Sequence, residues 1–235
     1  MYSDVFCKVY NEFGWNYYPE AFGGQLLQWL SQRNLHPRKA LDLACGTGVL
    51  CRILKEQGME TRGMDFSEGM IAIARAESPD IPYDVADMIT YRPDAQFDLV
   101  TCTGDALNHI PELSNVGRIF ENVYAYLSPG GYFVFDLLDE HEVSTAEPFD
   151  LQFDEVISAR FQITRPDEKR VHLQTQVFEN GIHSFTEDIY EMIHDREAVL
   201  ELLRRAGFEI AKCAHRLLDD GAEVATWYII ARKPL

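Results

Sequence analysis

The stretch Ala40-Leu41-Asp42-Leu43-Ala44-Cys45-Gly46-Thr47-Gly48-Val49-Leu50 decides how the rest of this chain is read. Ala40 to Leu43 is an apolar run interrupted by one carboxylate, which suits a buried strand. Two glycines flanking Thr47 follow, and then Val49 to Leu54 with helical spacing. A strand therefore runs into a tight glycine turn and out into a helix. Glycines there admit dihedrals closed to other residues and let a ligand approach the backbone. The helix start beyond offers free amide donors, so the turn reads as a cradle for a small molecule. The dinucleotide fingerprint G-x-G-x-x-G is broken, because Cys51 stands at the third glycine. A phosphate loop would end in Gly-Lys-Ser/Thr, which is absent. Asp42, ahead of the turn, would repel a pyrophosphate and suits a ligand that carries an ammonium group.

Outward from this stretch, 235 residues make one large domain, or a domain with a small insertion. A hydrophobic content of 46% with 25% charged residues fits a globular protein with a substantial core. No apolar run is long enough to span a bilayer, and Met1 to Asp4 lacks the basic and apolar parts of a signal peptide. The net charge of −17 opposes binding to nucleic acid or to anionic lipid. Cys7, Cys45, Cys51, Cys102 and Cys213 are scattered without metal-ligand spacing, so no metal is expected. They read as reduced core residues of a cytoplasmic protein.

Along the chain, Phe6, Tyr10 and Phe13 have helical spacing, and a second amphipathic helix runs from about Glu20 to Asn34. This aromatic leader caps the sheet; its rings are either core packing or a lid over a ligand, with Tyr10 and Tyr18 the ones expected to face a site. Strands are expected near 39–44, 61–65, 81–87, 97–102 and 132–136. Helices alternate with them at 48–57, 67–76 and 114–127, and Pro129-Gly130-Gly131 turns the chain into the fifth strand. Alternation of this kind builds a parallel sheet with helices on both faces. Its strands end in Asp42, Asp65, Asp87, Thr103 to Asp105 and Asp136, polar groups that suit the rim of a ligand site beyond the carboxyl ends.

From Asp136 to Glu155 stand eight acidic residues and no Lys or Arg, read as a solvated loop. Segments near 151–163, 170–179 and 182–193 then form an antiparallel meander, joined by Arg165-Pro166-Asp167 and by Asn180-Gly181. A helix from Asp195 to Ala206 closes at Gly207. The last two strands, Phe208 to Arg216 and Ala225 to Arg232, are joined by a short loop from Leu217 to Val224 and pair antiparallel. The organisation is a helical lid or cap over 1–36, a core over 37–140 and 194–235, and an insertion over 141–193 that covers substrate or makes a dimer contact.

Five blocks in order carry a resemblance: Leu41 to Gly48, Gly63 to Met70, Ala86-Asp87-Met88, Phe97 to Val100, and Leu127 to Phe133. Ala206-Gly207-Phe208 adds to them. With these blocks the chain resembles the class I, Rossmann-like S-adenosylmethionine-dependent methyltransferases over about 37–137 and 195–235. The resemblance implies a seven-stranded, mostly parallel α/β sheet with an antiparallel last strand. It implies that S-adenosylmethionine is the cofactor and S-adenosylhomocysteine its product. Asp42 would face the methionine ammonium, Gly46 and Gly48 would let the backbone approach, and Ala44 and Thr47 share that loop. Asp65 would take both ribose hydroxyls, or could cap the next helix. Phe66 and Met70 would touch the adenine edge. Asp87 would accept from the adenine amino group with Met88 beside the ring, or could belong to a turn. Thr103 and Gly104 would line the far side.

Cys102 to His109 resembles the region after the fourth strand in glycine and aminosugar N-methyltransferases. Asp105, Asn108 and His109 are the candidates to orient an acceptor, with His109 the candidate base; a buried histidine bonded to backbone is the alternative. The expected function is methyl transfer to an N or O nucleophile of a small molecule, by a monomer or homodimer. Alternatives are a protein acceptor, a cofactor-binding protein without transferase activity, and a nicotinamide oxidoreductase, the last disfavoured by Cys51 and the terminal hairpin.

Overall fold

A strand buried along nearly its whole length must be covered on both faces, and β1 (Lys39–Leu43) is exposed only at Lys39. The structure is a computed structural model that describes residues 3–139, 145–218 and 226–235. In chain order the elements are α1 (Asp4–Val9), α2 (Tyr17–Gln32), β1, α3 (Val49–Glu56), β2 (Glu60–Asp65), α4 (Glu68–Glu77), β3 (Tyr83–Val85) and β4 (Phe97–Cys102). A 3-10 turn (Ala106–His109), α5 (Leu113–Tyr126), β5 (Leu127–Leu138), β6 (Ala146–Gln152), β7 (Ile157–Asp167), β8 (Arg170–Glu179) and β9 (Ile182–Met192) follow. The chain closes with α6 (Arg196–Ala206), β10 (Glu209–Ala214) and β11 (Thr226–Arg232).

The main sheet has the order β10-β11-β5-β4-β1-β2-β3. β1 pairs in parallel with both β2 and β4, and β11 runs antiparallel to both of its neighbours. Strand order reverses between β1 and β4, which opens a crevice at their carboxyl ends. Alternation along β1 sends Leu41 and Leu43 into a core with Phe120 and Val123 of α5 and Val199 and Leu203 of α6. Ala40 points the other way, into a core with Leu26 and Trp29 of α2 and Leu50 and Leu54 of α3. Asp42 shares that second face. Among the described residues no helix is long and apolar enough to cross a membrane.

The insertion is a separate antiparallel sheet of four strands, β6-β7-β8-β9, where the residue pattern predicts three. The stretch read as one strand from 151 breaks at Asp154, whose carboxylate accepts the amides of Val156 and Ile157 at 2.7 and 2.6 Å and turns the chain back. Arg165-Pro166-Asp167 is not a joint. It stays in β7 as an irregularity between Thr164 and Asp167, where a proline without an N–H is tolerated. Pro129-Gly130-Gly131 likewise lies inside β5: Gly130 donates to the Lys233 carbonyl at 2.9 Å, and the register with β4 shifts there. The 136–155 stretch is not uniformly solvated, because Asp136 and Asp139 are buried; residues 140–144 lie outside the described residues. So do 219–225 of the expected final loop and strand start. The leader packs Phe6 and Phe13 against Ala159, Phe161, Val177 and Ile189 of the insertion, joining the two ends of the site's cover.

Candidate functional site

The glycine turn shows why two glycines are needed, and for different reasons. Both have left-handed backbones, with φ of 53° at Gly46 and 77° at Gly48. A Cβ on Gly46 would meet open space, whereas one on Gly48 would lie 2.5 Å from the Tyr83 hydroxyl. Gly46 thus leaves room beside the backbone, and Gly48 lets α3 close against β3. Ala44 also sits at positive φ, 55°. Thr47 is buried, donating its hydroxyl to Asn11 Oδ1 at 3.0 Å, so the leader touches the turn directly.

At the end of β2 the Asp65 carboxylate accepts from the Gly46 amide at 2.9 Å and the Ser67 amide at 2.8 Å. Burial raises its pKa against those bonds. The cap of α4 is Ser67, which accepts from the Met70 amide at 3.3 Å, so Asp65 does not have that task. Phe66 is 53% exposed beside it, free to meet a flat ligand, whereas Met70 is buried at 1%. Helix periodicity turns Met70 inward, so the structure does not bring it to the ligand side. Asp87 is half-buried and accepts the Ile89 amide at 2.8 Å, the turn alternative in its geometry. Met88 packs against the main core.

Asp42 lies beneath the turn rather than at its surface. It is 3% exposed, accepts the Thr101 hydroxyl at 2.6 Å and faces Cys51 Sγ at 3.8 Å. Burial pushes its pKa up to about 7, only partly offset by the Thr101 bond. Two neighbouring strand tips, β4 and β5, meet through Asp136. This fully buried carboxylate accepts the amides of Gly104 and Asp105, each at 2.9 Å, and the hydroxyl of Tyr18. Burial raises the pKa of Asp136 and Asp105, and of the Tyr18 phenol far above its usual value. Thr103 is half-buried and Gly104 exposed, with φ of 75°. Asp105 has φ of 56°, a conformation that non-glycine residues seldom adopt and that two bonds to Asp136 enforce. Tyr10 lies edge-on to Trp15 at 5.1 Å, and burial followed by the charges of Asp65 and Asp105 pushes its phenol up to about 12.

The three candidate acceptor residues divide. Asn108 is fully buried; its amide donates to Met192 O at 2.7 Å and accepts from Leu138 N at 3.2 Å, tying β5 to β9. That makes it a strut and not a substrate contact. His109 Nε2 is 3.8 Å from Glu191 Oε1 of β9, and burial pushes the imidazole down to about 4. It is neutral near pH 7, so the contact is no ion pair. His109 also has a backbone hydrogen bond at Tyr190, which is the buried-histidine alternative in its geometry, and His194 nearby lies 3.3 Å from Leu107 O. Residue reading missed Glu191 and Asn11. A partial signal for Glu191 exists: Phe185, Glu187, Ile189 and Glu191 share one face of β9, so two acidic residues alternate there with apolar ones. A cavity of about 380 Å³ lies elsewhere, at the amino ends of β4 and β5 between 92–96 and Ala125-Tyr126. Among the described residues no His, Cys, Asp or Glu cluster is placed to hold a metal.

Comparison with known proteins agrees with this geometry. Residues 40–131 match a family model described as "Methyltransferase domain". The Bacillus subtilis protein named "Putative methyltransferase YqeM" is 30% identical over 233 residues, covering 94% of this chain and 90% of its own. The chain belongs to the methyltransferase family. A sugar N,N-dimethyltransferase of Saccharopolyspora spinosa, named for dTDP-4-amino-2,3,4,6-tetradeoxy-D-glucose, is 24% identical over 57% of this methyltransferase and 53% of its own chain. In solved structures the same fold recurs in Streptomyces venezuelae DesVI, with a TM-score of 0.81, 19% identity and coverage of 97% and 98% of the two chains. It recurs also in a Clostridium acetobutylicum S-adenosylmethionine-dependent methyltransferase, with a TM-score of 0.80, 21% identity and 90% of each chain. The two solved structures match 90% and 97% of this chain, shares too large to stop at the core.

Proposed function

We propose that this methyltransferase transfers a methyl group from S-adenosylmethionine to a nitrogen or oxygen nucleophile of a small molecule, by in-line displacement, and releases S-adenosylhomocysteine. The observation that carries the reading is Asp65: a half-buried carboxylate at a parallel strand tip, its two oxygens turned to the Gly46 turn and the start of α4. A ribose diol is a two-donor partner for such a group. Open space at Gly46 and the exposed ring of Phe66 fit an adenosine laid across the tips of β1 and β2. When bound, S-adenosylmethionine supplies an activated methyl on a cationic sulfur.

The chain's own residues hold and orient. Ala44, Gly46, Thr47 and Gly48 present backbone; Asp42 lends negative charge from below; Asp87 and Met88 flank the base; Thr103 and Gly104 form the far wall. Tyr10 and Tyr18 close the site from the leader over 1–36. Asn108 positions the insertion over 141–193, and Asp105 and His109 contact the acceptor. Alignment of nucleophile and methyl within van der Waals reach provides most of the acceleration such a reaction needs. The excess of acidic residues sets a small metabolite ahead of nucleic acid or lipid. We place the protein in the cytoplasm, as a monomer or homodimer.

Calorimetry with S-adenosylhomocysteine tests the reading. Binding is expected for the native chain, and Asp65→Ala is expected to weaken it by about 1.5–3 kcal/mol, the worth of hydrogen bonds to a charged group. Equal binding by both proteins removes Asp65 from the site.

A further inference from the structure

Resting on the methyl-transfer reading, we propose that the acceptor is an amine and that Glu191 of β9 receives its proton. Three elements converge on one place. The loop after β4 brings Asp105, whose carboxyl feels the charge of Glu191, the 3-10 turn brings His109 within 3.8 Å of the Glu191 carboxylate, and β9 brings Glu191 itself. The bond from Asn108 to Met192 O, one residue beyond Glu191, fixes the end of β9 against the 3-10 turn. Among the described residues neither Asp105 nor Glu191 pairs with a lysine or arginine, although both carboxylates are largely withdrawn from water. Once ionised, a carboxylate in such a place is costly unless a cation joins it, and the ammonium of an amine acceptor is a cation of that kind.

Among the described residues the charged and titratable groups around Glu191 are His109, Asp105 and Asp136; across the ladder its β8 partner is Val171, which brings no charge, and His194 is engaged with Leu107 O. Burial, then the charge of Asp136, pushes Glu191 up to about 7, while burial holds His109 down near 4. A base works best when its pKa lies near the working pH. Glu191 meets that condition and His109 does not. In the step, an N–H bond of the ammonium breaks and an O–H bond forms on Glu191. The freed nitrogen lone pair forms the new N–C bond, and the sulfur departs as a neutral thioether with the electron pair of the broken C–S bond. The N-methylated ammonium that results carries the positive charge the sulfur has lost.

The test uses the full chain with S-adenosylmethionine and a panel of glycine, ethanolamine, glucosamine and their hydroxyl counterparts without nitrogen. Expected are conversion of at least one amine and a rate that rises with pH to a plateau above about 7, as the base ionises. Glu191→Gln should lower kcat by about 100-fold or more and abolish that rise, with Glu191→Asp intermediate. A second readout is calorimetry of the converted amine into the S-adenosylhomocysteine-loaded protein, which Glu191→Gln should weaken by about tenfold. Unaltered turnover and pH profile in Glu191→Gln overturn the proposal and leave the methyl-transfer reading standing. Conversion of only the hydroxyl compounds does the same. Loss of S-adenosylhomocysteine affinity in Glu191→Gln assigns the residue to the fold and also overturns it. A native chain that binds no S-adenosylhomocysteine refutes the methyl-transfer reading itself, and the role of Glu191 with it.

Discussion

Tyr18, at the start of α2, donates its hydroxyl to Asp136, a carboxylate at the tip of β5 with no exposure to water. The same carboxylate holds the amides of Gly104 and Asp105, so one buried charge joins the leader to the loop after β4. Tyr18→Phe removes one of three donors and is expected to cost about 1–3 kcal/mol in denaturant unfolding. Asp136→Asn should cost more, because an amide N–H would then face a backbone N–H. Hydrogen exchange at Gly104 and Asp105 should quicken in both variants. Unchanged exchange would show that another contact holds this loop.

The two glycines of the turn are separable by mutation. Gly46→Ala keeps its space but takes on left-handed strain, a cost of about 1–2 kcal/mol. Its new methyl projects where a ligand would lie, so binding of S-adenosylhomocysteine should fall far more than stability does. Gly48→Ala meets the Tyr83 hydroxyl, which is itself held by Ser78 at 2.8 Å. Overpacking there adds about 1–3 kcal/mol to the strain. Thermal unfolding and calorimetry on both proteins check the contrast. Equal stability losses would contradict the assigned difference between the two positions.

The strand-turn-helix unit and the order of the elements were legible because their signals are local. Ala40 to Leu50 carries its own strand, turn and helix start, and Asn180-Gly181 its own hairpin. What residue patterns missed depends on contacts across the chain. Asp154 turns β6 into β7 through its own side chain, an event that an apolar run does not announce. Gly130 pairs with Lys233, far away in sequence, which keeps a Pro-Gly-Gly stretch inside a strand. Met70 and Asn108 were expected at the ligand side by position in a motif. The helix turns one inward, and two backbone partners engage the other. Glu191 lies in the insertion, outside every motif block, so only the fold brings it beside His109.

Asn108→Ala would leave the Leu138 amide and the Met192 carbonyl without this partner. Each buried group so orphaned costs about 1–3 kcal/mol, and β9 loses its tie to β5. Stability should fall, and limited proteolysis should cut the 146–192 region sooner. Affinity for S-adenosylhomocysteine, assigned to β1 and β2, should hold. A variant that loses ligand affinity at unchanged stability would place Asn108 in the ligand site after all.

The pH dependence of donor binding follows from Asp42. In the unfolded chain its carboxyl ionises near 3.8, and in the fold burial raises it to about 7. The folded state therefore retains a proton that the unfolded chain has released. Its contribution to stability is complete below about pH 4 and is lost as pH rises toward 7, with a slope of at most about 1.4 kcal/mol per pH unit. The raised pKa values of Asp65, Asp105, Asp136 and Glu191 have the same sign. The unliganded protein should thus lose stability from pH 5 to pH 8. Cation binding selects the ionised form of Asp42, so affinity for S-adenosylmethionine should rise over the same range, by up to about tenfold per unit below pH 7. Asp42→Asn cannot ionise; it should shed part of the stability slope and flatten the affinity profile, measured by unfolding and calorimetry at each pH. If the native and Asp42→Asn profiles run parallel, the charge beneath the glycine turn plays no part in holding the donor.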